Sequence, residues 1–161
     1  MNKPWVLGVI LRVATMVAAV QETALEGYQH WTLDSLKALE QTLSTEAASN
    51  PDDVATRRLQ DYPNELFMLA HREADGVVEW HETQADIFFV QSGSATLIVG
   101  GTMVGGGTVE LHEMRNGTIQ GGTRVRLLAG DVVRIPPKTP HQILLDGSKE
   151  FTYFVIKVKG Y

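Results

Sequence analysis

The chain has 161 residues, with 14 basic and 19 acidic side chains, a formal net charge of -5 and no cysteine. That length suits one domain with a substantial core. No stretch gathers Lys and Arg as a phosphate backbone requires, which argues against a nucleic-acid partner, and without cysteine there is neither a disulfide framework nor a thiolate metal site.

Residues 1–20, MNKPWVLGVILRVATMVAAV, join a lysine near the start to an apolar run that ends in Val17-Ala18-Ala19. Residues 1–19 read as an export signal, which predicts a periplasmic or secreted protein. Arg12 interrupts the run, and the alternatives are a segment packed on the folded body of a cytoplasmic protein, or a start codon placed too early. The stretch is too short and too charged for a membrane span, so none is expected in the mature protein.

Leucines at 33, 36, 39 and 43 fall at helical spacing behind Thr32, a good N-cap. They predict an amphipathic helix over 32–44 that covers one face or end of the folded core. Residues 45–64 are polar and punctuated by Asn50-Pro51 and Tyr62-Pro63, which reads as a linker with one short helical turn at 54–59. Residues 20–64 therefore form a helical and linker extension.

From residue 65 the pattern changes to short strands and tight turns. Strands at 67–72 and 77–82 flank Asp75-Gly76, a strong hairpin signal. Strands at 87–91 and 95–99 flank Gly93, and others are expected at 132–135, 142–145 and 151–157. This spacing predicts an all-β jelly-roll barrel over 65–161. A glycine-rich insertion at about 102–123 interrupts it, as a mobile flap or a lid over a ligand. Its His112-Glu113 pair has the reach to enter the barrel mouth, although such pairs are ordinarily solvated.

Side chains two apart on a strand share a face, so Glu79 and His81 enter the barrel together. A bend at Thr83-Gln84 brings Asp86 beside them, and a turn built on Pro136, Pro137 and Pro140 presents His141 from the opposite sheet. Two imidazoles and two carboxylates suit an octahedral divalent cation with two open positions. Arg72, opposite Glu79 across the expected hairpin, is a rival partner for that carboxylate and would leave His81, Asp86 and His141 as the ligands. The metal-free alternative is a pocket in which the histidines hydrogen-bond to the carboxylates. Phe88 and Val90 follow Asp86 at strand period and line the pocket. Glu79 is the candidate general base; Tyr153 is a weaker one, because Phe151 and Val155 mark an ordinary packing stripe. His30 and His71 read as structural.

Residues 78–93, VEWHETQADIFFVQSG, and 130–141, GDVVRIPPKTPH, together resemble the paired motifs of the cupin superfamily. His81 stands where that pattern has its second histidine, Asp86 where it has glutamate, Gly93 closes the first motif, and Pro136 and His141 carry the second. The sequence departs from the pattern at Glu79, in place of the first histidine, at Lys138, in place of a usual glycine, and at Leu145, in place of a frequent asparagine. The resemblance spans roughly 67–158 and implies a double-stranded β-helix barrel. It also implies a divalent metal (iron, manganese, nickel or zinc) on Glu79, His81, Asp86 and His141. Oxygenase, isomerase or lyase chemistry on a small organic ligand, and a homodimer, would follow. The competing reading is a non-catalytic small-molecule-binding module without metal.

Overall fold

A computed structural model describes residues 25–161; the expected export signal lies outside the described residues. Residues 25–30 belong to a separate unit from Trp31–Tyr161, and the fold below is that of the latter. Among the described residues no helix is long and apolar enough to cross a membrane.

Helix α1 (Leu33–Ala47) starts at the expected cap, where the Thr32 hydroxyl accepts a hydrogen bond from the Ser35 amide at 3.1 Å. Its leucine stripe turns inward gradually: Leu33 is exposed, Leu39 partly buried, and Leu43 and Ala47 fully buried. They pack on Ala55, Leu69 and Phe154, on the outer face of one sheet. Burying each such side chain contributes about 1.5–3 kcal/mol, which holds a short helix in place.

The expected linker contains a strand. Residues 54–59 form no helical turn but belong to β1 (Val54–Asp61), which pairs antiparallel with β2 (Glu65–Arg72) along its whole length. Its alternation is weak because only Ala55 is fully buried. The remaining strands are β3 (Glu79–His81), β4 (Gln84–Val99), β5 (Thr102–Glu110), β6 (Glu113–Gln120), β7 (Thr123–Leu128), β8 (Val132–Ile135), β9 (His141–Leu144) and β10 (Phe151–Lys159). One sheet runs β1-β2-β10-β4-β8 and the other β5-β6-β3-β9-β4-β7, with every pairing antiparallel. The core fills the space between them, with Phe88, Leu97, Leu127, Ile135, Phe151 and Val155 among its buried members.

Strand β4 belongs to both sheets. Residues 84–93 pair with β10 and 86–89 with β8, whereas 94–99 pair with β7 and 96–99 with β9. Gly93 is therefore not the turn between two strands but the bend within one. Its φ is +72°, and a Cβ there would lie 2.1 Å from the Glu150 carbonyl oxygen. The position excludes other residues on both counts.

The Asp75-Gly76 hairpin does not form either. That segment crosses from one sheet to the other and is laced to β9 and its end: Gly76 N donates to Ile143 O at 2.7 Å, and Asp75 Oδ1 accepts from Leu145 N at 2.7 Å. The glycine-rich insertion is a β-ribbon. β5 and β6 pair with each other, and β6 extends the second sheet beyond β3.

Gly93→Ala is expected to cost at least about 2 kcal/mol in urea unfolding, since a left-handed conformation and a backbone clash coincide. A cost below about 0.5 kcal/mol would show that the bend is not held as described.

Candidate metal centre

Two cross-strand pairs build the site. In the second sheet Glu79 on β3 stands opposite His141 on β9. In the first, Asp86 on β4 stands opposite Lys157 on β10. His81 completes the group, two residues from Glu79 on the same face. Ligating atoms of Glu79, His81, Asp86 and His141 all lie within 4.8 Å of one another. His81 Nε2 is 3.2 Å from Asp86 Oδ2 and 3.6 Å from Glu79 Oε2, and His141 Nε2 is 3.5 Å from Asp86 Oδ2. Donors at these separations can share one ion at coordination distances near 2.1 Å.

The far nitrogen of each imidazole is tied down. His81 Nδ1 meets Glu113 Oε2 at 2.5 Å, and His141 Nδ1–H donates to the Thr139 carbonyl at 3.1 Å. Contacts of this kind orient metal-binding histidines and fix their tautomer with the Nε2 lone pair facing the ion. His141 Nε2 is buried without a hydrogen-bond partner, since 3.5 Å to Asp86 is too long for one. An orphaned lone pair aimed at two carboxylates and a second imidazole fits a cation.

Glu113 and Arg115 come from the insertion. The register of β6 on β3 sets Glu113 against His81 and Arg115 against Glu79. Arg115 bonds to both acids, at 3.0 Å to Glu113 and 3.4 Å to Glu79. His112, the other half of the pair, instead meets Glu82 on the exposed rim. The lid expectation is replaced by a ribbon that supplies the site's outer polar layer.

Lys157, like Arg115, is a residue that sequence reasoning missed. Its ammonium lies 2.9 and 3.1 Å from the two Asp86 oxygens and 3.0 Å from His81 Nε2. An ammonium has only donors, so this last contact requires the His81 lone pair at Nε2 and its proton at Nδ1, shared with Glu113. The signal was available: Lys157 continues the inward stripe of Phe151, Tyr153 and Val155 at strand period.

Asp86 is held well below the usual carboxylate range. Burial opposes this, and the Lys157 ammonium, 2.9 and 3.1 Å from its two oxygens, favours the ionised form. Glu79 is lowered too, with burial outweighed by neighbouring positive charge, Arg115 foremost and then Lys157. Held ionised in this way, Glu79 is a poor proton acceptor, against its expected part as general base.

Arg72 does not pair with Glu79, because β2 and β3 lie in different sheets. It is buried and donates from Nη2 to the Tyr153 hydroxyl at 3.2 Å. Both line a cavity of about 90 Å³ together with Phe88, Glu79, Asp86 and His141. Val90, expected on that wall, stands opposite Tyr153 in the packed core and does not line the cavity. His71 is structural, bonded to Thr152 and Glu73.

The lysine at 138 takes the left-handed conformation, φ +59°, that explains why a glycine is usual there in the resembled motif. Its amide donates to the His81 carbonyl at 2.7 Å, linking the proline turn to β3.

No family model matches the chain, and no curated protein does. Solved structures do. The protein TT1209 from Thermus thermophilus is 15% identical with a TM-score of 0.51 over 68% of this chain and 87% of that one. A Klebsiella pneumoniae protein with a double-stranded β-helix domain is 16% identical with a TM-score of 0.50 over 66% and 77%. The Schizosaccharomyces pombe Cnp3 cupin domain is 12% identical with a TM-score of 0.50 over 66% of this chain; the match spans 64% of that protein's length. At such identities the likeness concerns the fold alone.

Because Asp86 and Glu79 release their protons more readily folded than unfolded, their stabilisation is complete above the unfolded carboxylate range near pH 4 and is lost as pH falls below it. Metal-free protein is expected to lose on the order of 2 kcal/mol between about pH 5 and pH 2 through these groups. In Asp86→Asn the slope of unfolding free energy against pH should be shallower there; an unchanged slope would remove Asp86 from this role.

Proposed function

Because the chain is a cupin by fold, we propose that it holds one divalent cation on Glu79, His81, Asp86 and His141 and takes a small organic ligand into the adjoining cavity. The observation that carries this is the buried, unpartnered Nε2 of His141, oriented by the Thr139 carbonyl and facing two carboxylates. The charge balance supports it. Three carboxylates, of Glu79, Asp86 and Glu113, face two fixed cations, Arg115 and Lys157. A divalent ion exchanged for the ammonium makes the positive and negative charges equal. A bound divalent ion supplies Lewis acidity toward the oxygens of an organic acid, an enol or a sugar.

The protein's own residues have defined tasks in this reading. Glu113 and Thr139 aim the imidazoles, and Arg115 keeps Glu79 ionised. Phe88 closes the cavity on its apolar side, where its ring meets His141 at 6.3 Å and Tyr153 at 4.9 Å. Lys157 must withdraw from Asp86 to admit the ion; its side chain keeps 15% exposure, enough to give it a way out toward solvent.

A second reading rests on Lys157 itself. With its ammonium bonded to Asp86 and His81, the site already contains a cation, and the barrel would then be a metal-free binding module. Elemental analysis of protein purified without chelator or nickel affinity resin separates the two. About one equivalent of a transition metal, lost in His81→Ala and in His141→Ala, is expected. Lys157→Met should bind that metal about tenfold more tightly than wild type, because no competing ammonium has to leave. Absence of metal in wild type and in Lys157→Met, with none taken up from added iron, manganese, nickel or zinc, would leave the metal-free module.

A further inference from the structure

The cavity beside the cation cluster has a second pole. Arg72 is only 6% exposed, yet no carboxylate among the described residues comes within ion-pairing distance of it. Its one hydrogen bond goes to a neutral hydroxyl, and its Nε is buried with no partner at all. A guanidinium buried to this extent, with one neutral hydroxyl as hydrogen-bond partner and the Tyr153 ring 5.9 Å from its central carbon, is a favourable place for an anion. Its charge is nevertheless secure: burial works against it, while Tyr153, Glu79 and Asp75 favour it.

The surroundings are arranged around this cation. Gly76 makes room for it, since a Cβ at that position would lie 2.7 Å from Nη1. The Tyr153 oxygen accepts from Nη2, which leaves the hydroxyl proton free to donate, and no acceptor for it is present among the described residues. Tyr153 is in turn fixed by stacking on Phe151 at 4.9 Å. An outer cleft shares Thr56, Arg72, Gly76, Val77 and Glu79 with the cavity, so Arg72 lies between the site and the surface.

We infer that Arg72 and Tyr153 form a carboxylate-binding subsite, and that the ligand of this barrel is a short monocarboxylic acid with a second oxygen function on the adjacent carbon. A planar carboxylate matches the guanidinium fork and accepts from the tyrosine hydroxyl as well. The cavity of about 90 Å³ equals the liquid volume of about three waters, which limits the carbon chain to a few atoms. Glu79 and Asp86, which also line the cavity, repel a phosphate dianion more strongly than a carboxylate monoanion. Met68, Phe88 and Val155 suit a short apolar body. With the carboxylate on Arg72, the ligand's second oxygen points toward the cluster of Glu79, His81, Asp86 and His141. This deepens the small-ligand part of the function proposed above, and the carboxylate contact itself does not depend on a metal.

The test is calorimetric titration of lactate and of lactamide, its neutral isostere, into protein as purified and after dialysis against EDTA. Lactate is expected to bind both preparations, about tenfold or more tighter than lactamide. Arg72→Met should remove that preference, and Tyr153→Phe, which keeps the ring packing, should weaken lactate several-fold. Arg72→Lys, which keeps the charge without the fork, should fall between wild type and Arg72→Met. Equal binding of lactate and lactamide, no binding of lactate to wild type, or full lactate affinity in Arg72→Met would each overturn the subsite. Metal content is measured on the same samples: protein that holds no metal as purified and takes none up on addition, yet still prefers lactate, refutes the metal reading and upholds the subsite, while metal-loaded protein whose lactate affinity is unchanged in Arg72→Met does the reverse.

Discussion

Three carboxylates brought together inside a barrel are the constraint on which the rest of this site depends. Each charge taken from water costs several kcal/mol unless it is paired and hydrogen-bonded. Asp86, 2% exposed, is paired with Lys157, and Glu79 and Glu113 share Arg115. Those partners arrive from separate parts of the chain's β region: Arg115 from the ribbon between the two motifs, Lys157 from the last strand. The ribbon is thus tied to the barrel by charge as well as by its pairing with β3. Removing it would leave His81 without the group that aims it and Glu79 without its cation.

The barrel itself was legible because its signals are local. Alternation, turn glycines and the two motifs all sit within stretches of a dozen residues, and Thr32 with the leucines of α1 is a local signal too. His81, Asp86 and His141 belonged to those motifs and meet in space. The errors concern partners that only tertiary pairing selects. Asp75-Gly76 has hairpin chemistry, but its two flanking strands are recruited by different sheets, so Arg72 lost Glu79 and gained Tyr153. Residues 54–59 carry Thr and Arg on an exposed face, and it is pairing with β2 that makes them a strand. Glu113 was in view, but its use depends on the β3–β6 register, which has no mark in the sequence. Lys157 was readable in principle, two positions beyond Val155 on a face already recognised as inward.

The cavity joins two kinds of recognition on adjacent walls. One wall gathers anionic and imidazole donors that suit a cation; the other has a guanidinium with no carboxylate partner and a hydroxyl with a proton to donate, which suit an anion. Opposite poles within one small space favour a ligand that carries both an acidic group and a second oxygen donor, and they fix its direction. Phe88 and Tyr153 are shared by both walls, packed ring on ring. A change in either ring would therefore be felt at both poles.

The lysine that faces Asp86 has one more consequence, for the order of events in the life of the molecule. A chain whose most buried acid is already neutralised by its own last strand needs no ion to close the barrel. On the proposed reading, synthesis and folding would be separated from metal supply, and acquisition of the metal would be a late exchange at a finished mouth. The final strand would then serve first as chaperone of the site and afterwards as its doorkeeper.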